Sequence, residues 1–163
     1  MAASVALASV NEVEAFINEY FGVWQGTDED RIMSYYSEHV ALQIPGTLMR
    51  GKTAVREQFV RPFITGFPGN RHVAKNMIFG RGVVVVEWSF EAEHKGQFAG
   101  RDATGVRVEV PGCSVYEYDS ANRQITGGRI YFDVGTLLKQ LALHNWRSAG
   151  NPKRSRLRLL RLV

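Results

Sequence analysis

The sequence has few of the residues from which disulfides, metal sites and redox sites are built. Cys113 is its single cysteine, so no internal disulfide can form. The four histidines are scattered, without a His-x-x-x-His or Cys-x-x-Cys spacing. No glycine-rich phosphate loop joins a predicted strand to a helix, because "GRGVVVV" is typical of a hairpin turn. We therefore expect no metal and no cofactor.

Long apolar runs are also missing. None approaches the ~20 residues of a membrane-spanning helix. The first ten residues, "MAASVALASV", lack the basic start and the leucine-rich centre of a secretory signal. The single cysteine fits a reducing compartment. We predict a cytoplasmic protein without a membrane span.

An excess of positive charge is found only at the C terminus. The net charge is +4, but the last thirteen residues contain five basic residues and no acid. Subtracting those five charges leaves −1 for the rest of the chain. A nucleic-acid-binding domain carries its basic patch on the folded surface, so we do not expect a nucleic-acid partner.

The same distribution of charge suggests the domain boundaries. Gly150-Asn151-Pro152 indicates a linker before the basic end. We expect an N-terminal extension over residues 1–9, one domain over 10–146 and a basic, flexible tail over 147–163. The alternative for the tail is an amphipathic contact with a partner or an anionic membrane surface.

Hydrophobic periodicity indicates helices first and strands afterwards. The stretch from Val13 to Trp24 repeats apolar residues at helical spacing, and a third helix is predicted after Gly51, with Phe59 and Phe63 on its apolar side. One strand is predicted at "VALQIPG" and others from residue 71 onwards, with a bulge or bend expected at Pro111-Gly112. The order predicts an α+β fold with helices on one face of a curved sheet.

One of these strands, "VVVVEWSFEAEH", raises a question about function. Its alternating pattern predicts one apolar face, and that face ends at His94. By parity His94 points inward, but the strand is expected to fray there. We therefore weigh a rim or solvent-exposed structural role for His94 against a catalytic one.

With this layout, the chain resembles the SnoaL-like branch of the NTF2-like superfamily, which also contains ketosteroid isomerases. The resemblance is carried by the opening helix and by "GKTAVREQF", "EHKGQFAGRDATG" and "ITGGRIYFDVGTLLKQL". It implies a cone in which a curved antiparallel sheet wraps around the N-terminal helices and encloses a deep apolar pocket. It also implies dimerisation through the outer sheet face, and we predict a homodimer.

The resemblance further implies that this chain lacks the acids of several relatives. Trp88 and Phe90 match the charged strand positions of limonene-type epoxide hydrolases. Ile130 matches their second acid and the base of aldol-type cyclases. The base of ketosteroid isomerases falls on Ile44, and their protonated acid falls near Ser114.

Two polar residues of this chain match functional residues of relatives. Tyr20 matches the tyrosine of the isomerase oxyanion hole, and His72 resembles one of the two histidines of scytalone-type dehydratases. We predict His72, Tyr20 and His94 as candidate catalytic residues, with His72 first because histidine titrates near neutral pH. The alternatives are a core role for Tyr20 and a strand cap for His72. For Asp133 we favour a role as the N-cap of the following helix, with a catalytic role as the alternative.

The remaining inward positions are expected to bind substrate. They are Trp24, Leu42, Ile44, Trp88, Phe90, Val110, Ser114, Ile130 and Phe132. Such a set suits a hydrophobic small molecule held by a few polar groups. We expect Trp88 to form a wall of the pocket rather than to fill a closed core.

These observations favour a cofactor-independent cyclase or isomerase, a cycloaddition catalyst included. Its substrate would be a hydrophobic polyketide- or terpenoid-like molecule of specialised metabolism. The alternatives are a dehydratase that uses His72 and a non-catalytic binding protein for an apolar ligand.

Overall fold

The computed structural model describes residues 9–148, with side chains described up to residue 142. Most of the predicted extension (1–9) and tail (147–163) lies outside the described residues. The elements in chain order are α1 (Val10–Val23), α2 (Glu29–Met33), β1 (Tyr36–Ile44), β2 (Thr47–Arg50), α3 (Lys52–Val55), a π-helical turn (Arg56–Val60), α4 (Arg61–Gly66), β3 (Arg71–Gly80), β4 (Val83–Glu93), β5 (Arg107–Asp119), β6 (Gln124–Phe132) and α5 (Val134–Ser148). No described helix has the length and apolar character needed to cross a membrane.

Six strands form one sheet in the order β2-β1-β6-β5-β4-β3. This layout confirms the predicted α+β class. The expectation of a wholly antiparallel sheet is wrong at one place, because β1 and β6 run parallel. A parallel pair needs a long crossover connection. Here the chain from β1 to β6 passes through α3, α4 and the four strands β2, β3, β4 and β5, so no hairpin fixes the direction of β1 against β6.

The first helix supplies one wall of the interior. Its N-cap is Ser9, whose side chain and backbone form a capping box with Glu12. Most of the apolar stripe predicted from the sequence is buried, namely Phe16, Ile17, Tyr20, Phe21 and Trp24, and its first member, Val13, is partly buried against the core. Because these side chains recur at i, i+3 and i+4, they face the sheet together.

For the helix predicted after Gly51, Pro62 is expected to end the helix or to kink it; the helix continues through Pro62. Proline has no N–H to bond within a helix. The turn before it is π-helical, and the N–H of Arg61 donates to the carbonyl of Arg56. Single π turns of this kind often lie at functional sites. This one carries Phe59, which packs against Trp24 with the ring centroids 5.4 Å apart.

The bulge predicted at Pro111-Gly112 is absent from the β4–β5 ladder, whose register is unbroken from Val83 to Glu93. The reason is that β6 ends opposite Gly112. The N–H and C=O groups of Glu109 point towards the edge that β6 has vacated, where the side-chain amide of Gln140 in α5 bonds both of them. Pro111, two residues later, points the same way, so its missing N–H breaks no ladder bond.

Candidate functional site

A small apolar cavity lies between the inner face of the sheet and the helices. It is lined by Phe59, Phe63, Trp88, Phe90, Val110, Ile130, Phe132 and Leu137. Its volume is about 20 Å³, which is room for one water molecule. Five of its eight lining residues are aromatic, so rings make up most of its wall.

The outer edge of the cavity is formed by Phe63 and Phe132. Both rings are partly exposed, and their centroids are 6.0 Å apart. The other aromatic side chains of the lining are only 3–6% exposed. Residues farther into the core, such as Leu42 and Tyr36, have no exposed surface. The cavity thus approaches the surface between Phe63 and Phe132.

Trp88 is held in one orientation by two neighbours on β5. Its indole Nε1–H donates to the hydroxyl oxygen of Ser114 at 2.9 Å. Its ring lies over Gly112, where an added Cβ would come within 2.2 Å of the ring. Real Cβ atoms do not approach other atoms so closely, so only glycine leaves room for the indole. Trp88 is buried and also lines the cavity.

His72 lies against the wall of this cavity on the inner side of β3. Its ring is 5.2–5.4 Å from four aromatic rings, those of Phe21, Trp24, Trp88 and Phe90. The residue keeps some exposed surface, but its Nδ1 is buried and has no hydrogen-bond partner among the described residues. Burial lowers the pKa of His72 to about 3, because the charged imidazolium loses its hydration.

His94 is fully buried, so the expected exposed position at a rim is wrong. The strand ends at Glu93, but the following loop folds back over the imidazole. The N–H of Thr104 donates to its Nδ1 at 3.3 Å, and the ring of Phe67 is 5.2 Å away. Burial is the main cause that lowers the pKa of His94.

The family model for SnoaL-like polyketide cyclases matches residues 14–141 of this chain. The chain belongs to the SnoaL-like polyketide cyclase family. None of the curated proteins matches it in sequence.

Solved structures of other proteins share the architecture. A candidate SnoaL-like polyketide cyclase from Jannaschia sp. CCS1 is 18% identical, with 87% of this chain and 96% of that one covered and a TM-score of 0.70. AclR, a candidate hydroxylase from Streptomyces galilaeus, is also 18% identical, with 83% of each chain covered and a TM-score of 0.71.

A protein of ketosteroid isomerase-like fold from Catenulispora acidiphila, in complex with trimethylamine, is 14% identical; 80% of this chain and 95% of that one are covered, with a TM-score of 0.64. At these identities the three structures establish the fold and leave the reaction open.

Within this SnoaL-like chain, Tyr20 lies in a buried cluster of hydroxyl groups. Its hydroxyl is hydrogen-bonded to that of Tyr36, and both residues are buried. Burial raises the pKa of Tyr20 well above its usual value, and the nearby Tyr36 raises it further. The pKa of Tyr116 is raised in the same way. Tyr20 therefore stays neutral and is not among the residues that line the cavity.

Five of the nine predicted substrate-binding residues line the cavity, namely Trp88, Phe90, Val110, Ile130 and Phe132. The other four lie around it. Trp24 and Leu42 are core residues, Ile44 is partly buried near the end of β1, and Ser114 is behind Trp88.

Three further lining residues, Phe59, Phe63 and Leu137, come from the helices. The apolar side of the predicted third helix already contained the two phenylalanines, but sequence periodicity does not reveal which strand a helix faces. Asp133 caps α5, because its carboxylate accepts from the N–H and hydroxyl of Thr136. These bonds lower the pKa of Asp133.

Proposed function

We propose that this SnoaL-like chain is a cofactor-independent cyclase or isomerase for an apolar, polyketide- or terpenoid-like small molecule. The supporting observation is the interior itself: eight apolar side chains surround the cavity, and the imidazole packed against its wall is uncharged at neutral pH. Membership of a cyclase family supports a cyclase-type reaction. The substrate class and the mechanism are our proposals.

A substrate has to enlarge the cavity in order to bind. A volume of about 20 Å³ excludes any polyketide or terpenoid. Phe63 and Phe132 are the most exposed aromatic side chains of the lining, so rotation of their rings opens the interior at the smallest cost in lost packing. Side chains with exposed surface change rotamers within nanoseconds. We infer that the ligand enters between these two rings and replaces the contacts of Phe63 with Phe90 and Phe132.

The state of His72 favours orientation over proton donation. The pKa of His72 is about 3, so pH 7 lies about four units above it and the imidazole is neutral there. Protonating it there costs roughly 5 kcal/mol, at ~1.4 kcal/mol per unit. A dehydratase that needs an imidazolium to expel water would have to supply this energy. A cyclase that holds a reactive conformer against an aromatic wall needs only a neutral hydrogen-bonding group.

The reaction class can be tested by mass spectrometry. The purified protein is incubated with a small-molecule extract from its native host, and the compounds that change are identified by accurate mass. We expect a compound that disappears while a product of the same molecular formula appears, since cyclisation and isomerisation conserve the formula.

Other results would change the assignment. A product lighter by one water would support the dehydratase that uses His72. A ligand that binds, stabilises the protein and returns unchanged would support the binding protein. A heat-denatured sample serves as the control for spontaneous conversion.

A further inference from the structure

Three buried polar atoms without partners lie at one end of the inner face of β3 and β4. They are Asn70 Oδ1, His72 Nδ1 and His94 Nε2, and no other such atom occurs among the described side chains. We name Asn70, His72 and His94 the polar corner. His72 pairs with Phe90 across the ladder. The ring of Phe67 packs on both Phe90 and His94, which joins the three residues into one region.

A buried polar atom without a partner is uncommon in a native protein and calls for an explanation. Asn70 and His94 have no exposed surface at all. Both are also fixed in place by their other polar atoms, so neither can turn to find a partner. Those fixed contacts determine whether each unpaired atom is a hydrogen-bond donor or an acceptor.

Asn70 offers an acceptor. Its Nδ2 lies 3.0 Å from the carbonyl oxygen of Phe67. A carbonyl can only accept, so the amide nitrogen must face it, and the amide oxygen is left free. The backbone N–H of Asn70 donates to the same carbonyl at 3.1 Å, which holds the residue close to Phe67.

His94 offers a donor. Its Nδ1 lies 3.0 Å from the hydroxyl oxygen of Thr104 and 3.3 Å from the backbone nitrogen of Thr104. The hydroxyl oxygen already accepts from the N–H of Val106 and can donate its own proton to the imidazole, whereas the backbone N–H of Thr104 can only donate, and it is directed at Nδ1. Nδ1 therefore carries no proton, and in the neutral ring the proton resides on Nε2. The free atom is thus an N–H group, enclosed beside the ring of Phe67.

We propose that the polar corner is a subsite for a neutral hydroxyl group of the ligand. A hydroxyl accepts from the N–H at His94 Nε2 and donates to the oxygen of Asn70, with His72 Nδ1 beside the ligand's apolar body. A carboxylate fits poorly, because the corner offers one fixed donor and its amide oxygen repels an anion. This inference rests on the proposed binding of apolar molecules in the adjacent cavity, because Phe90 lines that cavity and also packs on Phe67.

The test uses three probes of one shape: 2-naphthol, 2-methylnaphthalene and 2-naphthoate. Their dissociation constants are measured by calorimetry or by ligand-observed NMR at neutral pH. We expect the wild-type protein to bind 2-naphthol about tenfold more tightly than 2-methylnaphthalene, as one buried hydrogen bond would give. We expect 2-naphthoate to bind the weakest of the three.

Two substitutions at His94 separate the subsite from a structural role. His94→Asn keeps an acceptor for the N–H of Thr104 but removes the donor at the Nε2 position. His94→Gln keeps a donor near that position but gives up the Thr104 contact. We expect the tenfold preference for naphthol to vanish in His94→Asn and to persist in His94→Gln. His39→Phe, on the exposed side of β1, is the control and should behave as wild type.

The outcomes distinguish the two proposals. If the wild type binds 2-naphthol and 2-methylnaphthalene equally, the pocket stands and the hydroxyl subsite is overturned. Tightest binding of 2-naphthoate overturns the neutral-ligand assignment in the same way. A crystal structure of the naphthol complex in which a water still bridges Asn70 and His94 would reduce the corner to a structural water site. Failure of all three probes to bind overturns the apolar pocket and the subsite together.

Discussion

The pH dependence of stability should reveal His72. Its pKa is about 3 in the folded protein, against 6.5 for an unperturbed histidine. Between these values the unfolded chain binds one proton more than the folded chain, so acidification favours unfolding. Stability should therefore fall by ~1.4 kcal/mol for each pH unit below about 6.5. From pH 7.5 to 4.5, His72 alone should remove about 2.5 kcal/mol.

Replacing His72 by phenylalanine isolates this contribution. His72→Phe keeps an aromatic ring among Phe21, Trp24 and Trp88 and removes a buried nitrogen that has no partner. At pH 7.5 we expect the variant to be at least as stable as the wild type, because no hydrogen bond of Nδ1 is lost. At pH 4.5 it should be more stable by about 2.5 kcal/mol.

The assay is urea unfolding followed by tryptophan fluorescence at several pH values, with His39→Phe as the control for loss of an exposed histidine. His94 and the carboxylates are present in both proteins, so their contributions cancel in the difference. Parallel pH profiles for wild type and His72→Phe would refute the reasoning, since they would mean that His72 is protonated in the folded protein. A large loss of stability at pH 7.5 would show that the ring makes a hydrogen bond after all.

Other substitutions test the packing around the cavity and the assembly. Gly112→Ala places a Cβ 2.2 Å from the ring of Trp88 and should cost about 1–3 kcal/mol in urea unfolding. Gly22→Ala, in α1 with nothing within 4 Å of the new Cβ, should stabilise by about 0.5–1 kcal/mol; equal effects would contradict the close approach of Trp88. Trp88→Phe removes the donor to Ser114, so we expect a loss near 1 kcal/mol together with altered ligand affinity or product ratio; a stability loss with unchanged turnover per folded molecule would assign Trp88 to the core alone. Gln140→Ala removes the two hydrogen bonds to the backbone of Glu109 and should speed hydrogen exchange of the Glu109 amide. An unchanged exchange rate would mean that the Gln140 side chain does not protect this amide. The homodimer predicted through the outer sheet face, where Tyr131 is 52% exposed and Ile78 59%, should sediment at twice the chain mass at micromolar concentration, and a monomer would contradict it.

The sequence was most informative where one face of an element is buried. The helical stripe of α1 and the alternation of Val84, Val86, Trp88 and Phe90 in β4 are buried as their periodicity predicts. These patterns arise from local geometry, which repeats every 3.6 or two residues. They were sufficient, with the resemblance, to predict the α+β fold.

Features that depend on distant partners were not readable from the sequence. The parallel β1–β6 pair brings together strands that are far apart in the chain. Pro111 fits into a regular ladder because β6 stops opposite Gly112, which a local reading cannot reveal. His94 is buried because a loop that includes Thr104 folds back over the strand end.

The candidate site was predictable in part for the same reason. Val110, Ile130 and Phe132 are strand residues whose parity points inward, and they line the cavity. Leu137 belongs to a helix whose docking on the sheet is a tertiary event. Asn70 was missed because an asparagine in a loop shows no periodicity, and only the structure reveals its unpaired oxygen.

The central claim is that an apolar molecule binds and reacts in the interior between the sheet and the helices. The most direct measurement compares turnover of the formula-conserving conversion in two variants of one strand. Val110→Phe fills the cavity from its inner wall, and Val115→Phe adds the same ring to the opposite face of β5. With folding verified by circular dichroism, we predict that Val110→Phe loses nearly all turnover while Val115→Phe retains it. Full turnover by a folded Val110→Phe variant would contradict the account.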